Sequence, residues 1–207
     1  MHFQTNILRT LNYAKDLTKM CEFAIEYCNL DALKYIRARN VQCPWSYDML
    51  DNIIEMIVEP DDEPNTPEKK NRIEIFKYIY IEDPSFQYID PIDTFVRYCR
   101  IDLIKWVFDQ NISPDNSWKN DGSYCIEAAH GGSLEVLQFL HKNKCPLHRT
   151  KCIITAENII TEWKNSYDFA KKAEITTAYE NIIKWIKSLK DDDVTDSDVG
   201  ECRYFCF

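Results

Sequence analysis

The chain has 207 residues, with 34 acidic against 25 basic side chains for a formal charge of −9, and 45% of it is apolar. That length suits one globular domain or one short repeat array with a sizeable core, and the apolar content excludes an intrinsically disordered chain. The acidic balance, without any concentrated basic block, excludes a generic nucleic-acid binder.

In chain order, residues 1–16 are expected to be an N-terminal cap segment. Arg9, Asn12 and Lys15 interrupt the apolar core that a signal peptide needs, and no later run approaches membrane-spanning length. A cytoplasmic protein without membrane contact follows as the expectation. Helical patterns then alternate with short breaks over residues 17–189. "TKMCEFAIEYC" (18–28) precedes "LDALKYI" (30–36), and "SYDMLDNIIEMIV" (46–58), with Ser46 as a cap, precedes "IEIFKYI" (73–79). "DPIDTFVRYC" (90–99) carries Asp90 as cap and Pro91 at the first helical position, ahead of "IDLIKWV" (101–107). "SYCIEAAHG" (123–131) precedes "LEVLQFL" (134–140), and "TKCIITAENIITEW" (150–163), with Thr150 as a cap, precedes "ENIIKWI" (180–186). Polar inserts at 59–72 and 164–177 separate the first and second helices of their pairs, and residues 190–207 form an acidic tail.

The second pattern of each pair is one repeated block. Its positions 1, 3, 4, 6 and 7 are apolar in four of five copies, apart from the small Ala32, and the fifth loses only position 1. At 100° per residue those positions span roughly 220°, which leaves positions 2 and 5 facing water. A helix this apolar is enclosed on two sides, as when it stacks between neighbouring repeats. The block starts are 43, 28, 33 and 46 residues apart, and three of the five position 2/5 pairs set an acid three residues before a lysine. The predicted fold is all-α, an α-solenoid of about five helix-turn-helix repeats.

Residues 123–140 read Ser-x-Cys-x-x-Ala-Ala-His-Gly-Gly-Ser-Leu-Glu-Val-Leu-Gln-Phe-Leu. This resembles the ankyrin repeat at Ala128, Ala129, Gly132, Leu134, Glu135, Val136, Leu137 and Leu140, and the 33-residue step is the ankyrin period. The linkers "NVQCPW" and "NKCPL" resemble a divergent ankyrin subgroup, with a C-P-W linker, common in large DNA viruses of amoebae and in some protists. Tyr124 and Ile126 stand where that family has Pro and His, and the loop at 109–123 is the one stretch long enough for its β-hairpin finger.

Nine cysteines in a chain too large to depend on disulfides read as reduced thiols. Cys21 aligns with Cys125, Cys28 with Cys99 and Gly132, and Cys43 with Cys145; recurrence at one repeat position is what a small packing residue does. The best metal candidate, Cys145-x-x-His148-x-x-x-Cys152 with Cys125, lacks a second closely spaced ligand pair. His130 has no nucleophile or carboxylate fixed beside it by spacing, so no catalytic residue is assigned and no cofactor expected. Trp106, Trp163 and Trp185 read as core, whereas Trp118 lies in a polar loop where it could anchor a contact.

The expectation is a monomeric, non-enzymatic module that binds a protein partner with a basic surface. By what the resemblance implies, contacts fall on the loop residues Asn116, Trp118, Lys119 and Asp121, and on the exposed flank of the first helices at Glu26, Arg97, Glu127 and His130. Were the protein viral, the compartment would be the host cytoplasm. Two alternatives stand beside it: an adaptor recruiting a second factor, such as a ubiquitin ligase, through the C-terminal tail "CRYFCF", and a Cys/His metal-binding protein.

Overall fold

In a computed structural model the described residues are 17–38, 47–58, 66–82, 91–110, 122–164 and 166–190, for residues 47 and 48 the backbone alone. Among them every regular element is a helix and there is no strand, so the all-α expectation holds. None of these helices is long and apolar enough to cross a membrane. The chain divides into two compact units, Met1–Ile89 and Asp90–Phe207.

The first unit holds α1 (residues 17–26), α2 (Leu30–Arg37), α3 (Tyr47–Val58) and α4 (Pro67–Glu82). α4 packs on both α2 and α3. The core is the set of apolar positions recurring every three to four residues: Cys21 and Leu33, then Leu50, Ile53 and Ile57, then Ile75, Phe76 and Ile79, all fully buried. Residues 67–72, part of the expected insert, form the first turns of α4. One of these, Arg72, reaches the turn after α1 and the end of α3, with Nε 3.3 Å from Cys28 Sγ and Nη1 3.5 Å from the Met56 carbonyl.

The second unit holds α5 (Pro91–Arg97), α6 (Ile101–Gln110), α7 (Ser123–His130), α8 (Leu134–Lys142), α9 (Arg149–Trp163) and α10 (Phe169–Ser188). It is built as three helix pairs. The first helices pack in the order α5, α7, α9, each first helix packs on its own second helix, and α8 meets α10. α6 meets α8 through the Lys105–Glu135 ion pair at 2.9 Å and the edge-on Phe108 and Phe139 rings, 5.1 Å apart. The last pair is longer than its neighbour: α9 and α10 run 15 and 20 residues, against 8 and 9 for α7 and α8. Residues 169–177 of the second expected insert are the start of α10.

One turn recurs between the helices of a pair. Cys28, Cys99 and Gly132 all have positive φ, at 53°, 56° and 77°. In each case the residue after the left-handed position donates its N–H five residues back: Asn29 to Ala24, Arg100 to Phe95 and Ser133 to Ala128. The left-handed residue itself donates three back, which completes a Schellman motif. The next residue then starts the second helix. Asn29 accepts from Ala32 N–H at 2.9 Å and Ser133 Oγ accepts from Val136 N–H at 3.3 Å, so one residue ends the first helix and caps the second. The left-handed position favours glycine, and two cysteines hold it here.

Some local expectations need correction. α5 does begin at Pro91, but α9 begins at Arg149, with His148 at its N-cap, so Thr150 is inside the helix rather than its cap. Only part of the 220° apolar arc is fully buried. Positions 4 and 7 of the block are buried in α2, α4, α6 and α8, whereas position 1 is half-buried throughout those four. Position 6 is half-buried in α4, α6, α8 and α10 and exposed in α2. Accordingly Trp106, Trp163 near the end of α9, and Trp185 are half-buried rather than fully buried.

Candidate functional site

α5 and α7 bury Phe95 and Val96, and Ala128 and Ala129, on their inner sides. The remaining arc of each short helix is then forced outward. In α5 it carries Asp93 and Arg97, and in α7 it carries Glu127 and His130. Arg97 donates from Nη2 to Asp93 Oδ2 at 3.0 Å, one turn away on its own helix, and its Nε lies 3.6 Å from Glu127 Oε2 on the next first helix. Two carboxylates thus flank one guanidinium, which leaves the strip with a net negative charge. His130 is the last, exposed residue of α7; its carbonyl accepts the hydroxyl of Tyr179 from α10.

Of the residues expected to contact a partner, Arg97 and Glu127 are brought together and His130 ends the same helix as Glu127. Glu26 is exposed on α1, in the other unit. Asn116, Trp118, Lys119 and Asp121 lie outside the described residues, as do the expected cap segment 1–16, residues 111–121 of the finger loop, the C-P-W linker with Trp45 and Cys43, and residues 191–207 of the tail.

The cysteines resolve into two environments. Cys125 from α7, Cys145 from the α8–α9 connection and Cys152 from α9 converge and are buried. The Cys125 thiol is pushed well above its ordinary value by its hydrogen bond with Cys145 and by burial; burial and the nearby Cys145 push Cys152 up to about 12. Neutral thiols packed among apolar side chains behave as small hydrophobes. Among the described residues no group of three or more His, Cys, Asp or Glu side chains is arranged to hold a metal ion. The six described cysteines carry no disulfide.

One ordered feature escaped the reading of the blocks. Position 6 is aromatic in every copy: Tyr35, Tyr78, Trp106, Phe139 and Trp185. Tyr78, Phe139 and Trp185 are each met by position 8 of the preceding second helix in their unit, and the first two by position 5 as well. Lys34 lies 5.7 Å over the Tyr78 ring, and Arg37 sits beside the Tyr78 hydroxyl. Lys105 lies 5.9 Å over the Phe139 ring, which Phe108 meets edge-on, and His141 meets Trp185 edge-on at 5.6 Å. The signal was present as a column of aromatic residues, but periodicity within one helix does not say which neighbour a side chain faces.

Compared with known proteins, the chain matches no family model, no curated protein and no solved structure.

Proposed function

We propose that this chain is a non-enzymatic protein-binding module of ankyrin-like helix pairs, and that it holds a partner on the exposed flanks of its first helices. The observation that supports this reading most is the Arg97–Glu127 pair, which joins two adjacent first helices along an exposed edge. Exposed ion pairs of this sort contribute little to stability, at most about 1 kcal/mol, so their use is better sought in recognition. Arg97 and Glu127 lie on that edge with His130 beside them, and Glu26 takes the equivalent place on α1. The expected loop contacts Asn116, Trp118, Lys119 and Asp121 belong to the same proposal.

The flanks are mainly acidic: Glu22 and Glu26 on α1, Asp51 and Glu55 on α3, and Asp93 and Glu127 against Arg97 on α5 and α7. With a chain charge of −9, this favours a protein partner that presents lysine and arginine. The repeated Schellman turn at Cys28, Cys99 and Gly132 supports a common ancestry for the pairs, and with it the likeness to ankyrin repeats. A cytoplasmic, monomeric protein remains the expectation.

The test is affinity purification with mass spectrometry from the native cell, comparing the intact chain with Glu127→Lys and with Trp118→Ala. A partner recovered by the intact chain and lost from Glu127→Lys supports the reading. Equal recovery by all three chains removes the flank and the loop as the contact surface.

A further inference from the structure

The last helix pair of the second unit outruns the pair before it at one end. The N-caps of α7 and α9 lie side by side, since a Cβ on Gly122 would run into the His148 ring. α9 then continues for seven residues more than α7, 15 against 8, or about 10 Å at the helical rise. α10 returns alongside α9, and its Tyr179 reaches the His130 carbonyl at the end of α7. Residues 169–178 of α10 therefore lie beyond the α7–α8 turn as well. Between Ala156 and Tyr179 no described residue is fully buried. This stretch is a two-helix hairpin packed on itself, and residues 163–172 form its tip.

The tip carries apolar groups into water. Tyr167 and Phe169, on either side of the cap Asp168, are 95% and 78% exposed. Trp163 is half-buried beneath Lys171, whose ammonium lies 5.6 Å from the ring centroid, and Lys172 donates to the Lys164 carbonyl at the end of α9. Three lysines thus stand against one carboxylate within residues 163–172, and Asp168 already accepts from the Lys171 N–H. Glu162 lies near the Tyr179 phenol, and Glu174 lies lower on α10. On a chain that carries −9, the tip is locally reversed in sign. The screening length at about 0.15 M salt is about 8 Å, shorter than the projection, so the acidic body is largely screened from whatever the tip meets.

We infer that the α9–α10 tip docks on an anionic lipid surface, with the Tyr167 and Phe169 rings entering the boundary between headgroups and acyl chains and Lys164, Lys171 and Lys172 lying against the lipid phosphates. Aromatic rings beside lysines on one narrow end suit that boundary, because the rings are taken up by the apolar side while the ammonium groups stay among the headgroups. Shape separates this occupant from a protein. A convex tip with two rings almost wholly in water offers no concavity to a partner's side chain, whereas a fluid interface deforms around it. Two rings and three lysines give a reversible contact and not a permanent anchor. Such a contact needs no spanning helix, and none is present among the described helices. It suits the cytoplasmic leaflet, which carries the anionic lipids, and it replaces the expectation of a chain without membrane contact, which considered spanning runs alone.

The tip is separate from the Arg97–Glu127 edge, and its docking does not rest on the proposed protein partner. The test is co-sedimentation of the full chain with extruded vesicles of phosphatidylcholine, alone or with about one-third phosphatidylserine, at about 0.15 M salt. Saturable binding to the anionic vesicles is expected, with little binding to the neutral ones. Tyr167→Ser with Phe169→Ser should weaken it about tenfold, and Lys164→Glu with Lys171→Glu should weaken it about as much and abolish the preference for phosphatidylserine. Because these side chains are exposed, circular dichroism of the variants should match the parent. No saturable binding, or equal binding to both kinds of vesicle, overturns the inference. So does binding that the Tyr167 and Phe169 variant leaves unchanged, which would be adsorption without insertion. Self-association of the chain, or recovery of a cellular protein, that depends on Tyr167 and Phe169 and occurs in place of vesicle binding would give the tip to a second copy or a protein partner, and either result overturns it. Partner recovery that is lost in Glu127→Lys should be unaffected by the tip variants, so this surface can fail alone and leave the proposed function standing.

Discussion

The Cys99 thiol donates to the Gly131 carbonyl at 3.2 Å, so the turn of one helix pair rests directly on the turn of the next. There is no room between them. A Cβ on Gly131 would lie 2.8 Å from Cys99 Sγ and 3.0 Å from the Arg97 carbonyl oxygen. The φ of Gly131 is an ordinary −69°, so the cost of a side chain there is steric and not conformational. Gly131→Ala should lower stability by about 1–3 kcal/mol in urea unfolding, as overpacking of a close contact does. Cys99→Ala in the same chain should return part of that loss, since it removes the nearer clash. Additive losses in the double variant would show that the two turns are not in contact.

Gly132 presents the opposite case. Its φ is +77°, and a Cβ would also meet the Tyr179 ring at 3.0–3.2 Å. Gly132→Ala therefore combines the left-handed cost, about 1 kcal/mol, with a clash against a ring held by its hydroxyl on the His130 carbonyl. Tyr179→Phe alone loses that hydrogen bond and should cost about 1 kcal/mol. Thermal or chemical unfolding of the three chains separates the contributions, and an unchanged Gly132→Ala would exclude the left-handed geometry at this turn.

How much of this was legible in the sequence varies with the kind of interaction. The alignment of Cys28 with Cys99 and Gly132 marked the turn, because one backbone geometry recurs wherever two helices are joined so tightly. The acidic and basic residues at block positions 2 and 5 were visible as pairs within one helix, and Glu74 does pair with Lys77 at 2.8 Å, yet Lys105 bonds Glu135 on the second helix of the next pair. A helical period fixes the angle of a side chain and leaves open which neighbour occupies that angle. The same gap hid which side chains cover Tyr78, Phe139 and Trp185, although packing between neighbouring pairs was itself expected of the block. Residues 169–177 read as a polar insert because the fifth block begins only at Glu180, although Phe169–Ser188 is one helix capped by Asp168, which accepts from Lys171 N–H at 3.0 Å. Charged flanks such as Glu127 carry no periodic signal, and only the resemblance pointed to them.

The Arg97–Glu127 pair separates stability from recognition. Both side chains are partly exposed, at 53% and 27%. Glu127→Lys sets a cation against Arg97 and should still change the unfolding free energy by less than about 1 kcal/mol. Partner affinity should fall about tenfold, with a shallower salt dependence. A large stability loss with unchanged affinity would make the pair structural and count against the flank as a binding surface.

The aromatic column predicts an order of losses. Phe139 is half-buried between Phe108 and Lys105, so Phe139→Ala should destabilise by about 1–3 kcal/mol. Tyr35→Ala, at the equivalent but exposed position, should cost less than about 1 kcal/mol. Comparing the two by chemical denaturation tests whether the contribution of position 6 follows the burial of its ring. Equal losses would mean that the residue acts within its own helix pair.

The buried thiols set a pH dependence. Cys152 has its pKa raised from an ordinary 9.0 to about 12, chiefly by burial, and Cys125 is raised as well. A thiol that is harder to ionise when folded binds its proton over a range where the unfolded chain has released it. The stabilisation is therefore fully present below the ordinary value, and it is lost as pH climbs from about 9 to about 12. Thermal unfolding should show a midpoint that falls across that window, and Cys152→Ala should flatten the fall even if it lowers stability near neutrality through lost packing. Alkylation by iodoacetamide at pH 8 should be slow at Cys125 and Cys152 in the folded chain and fast in urea, since the reagent needs an accessible thiolate. Rapid labelling of either residue without denaturant would contradict a dry, neutral thiol cluster and bring the metal-binding alternative back into consideration.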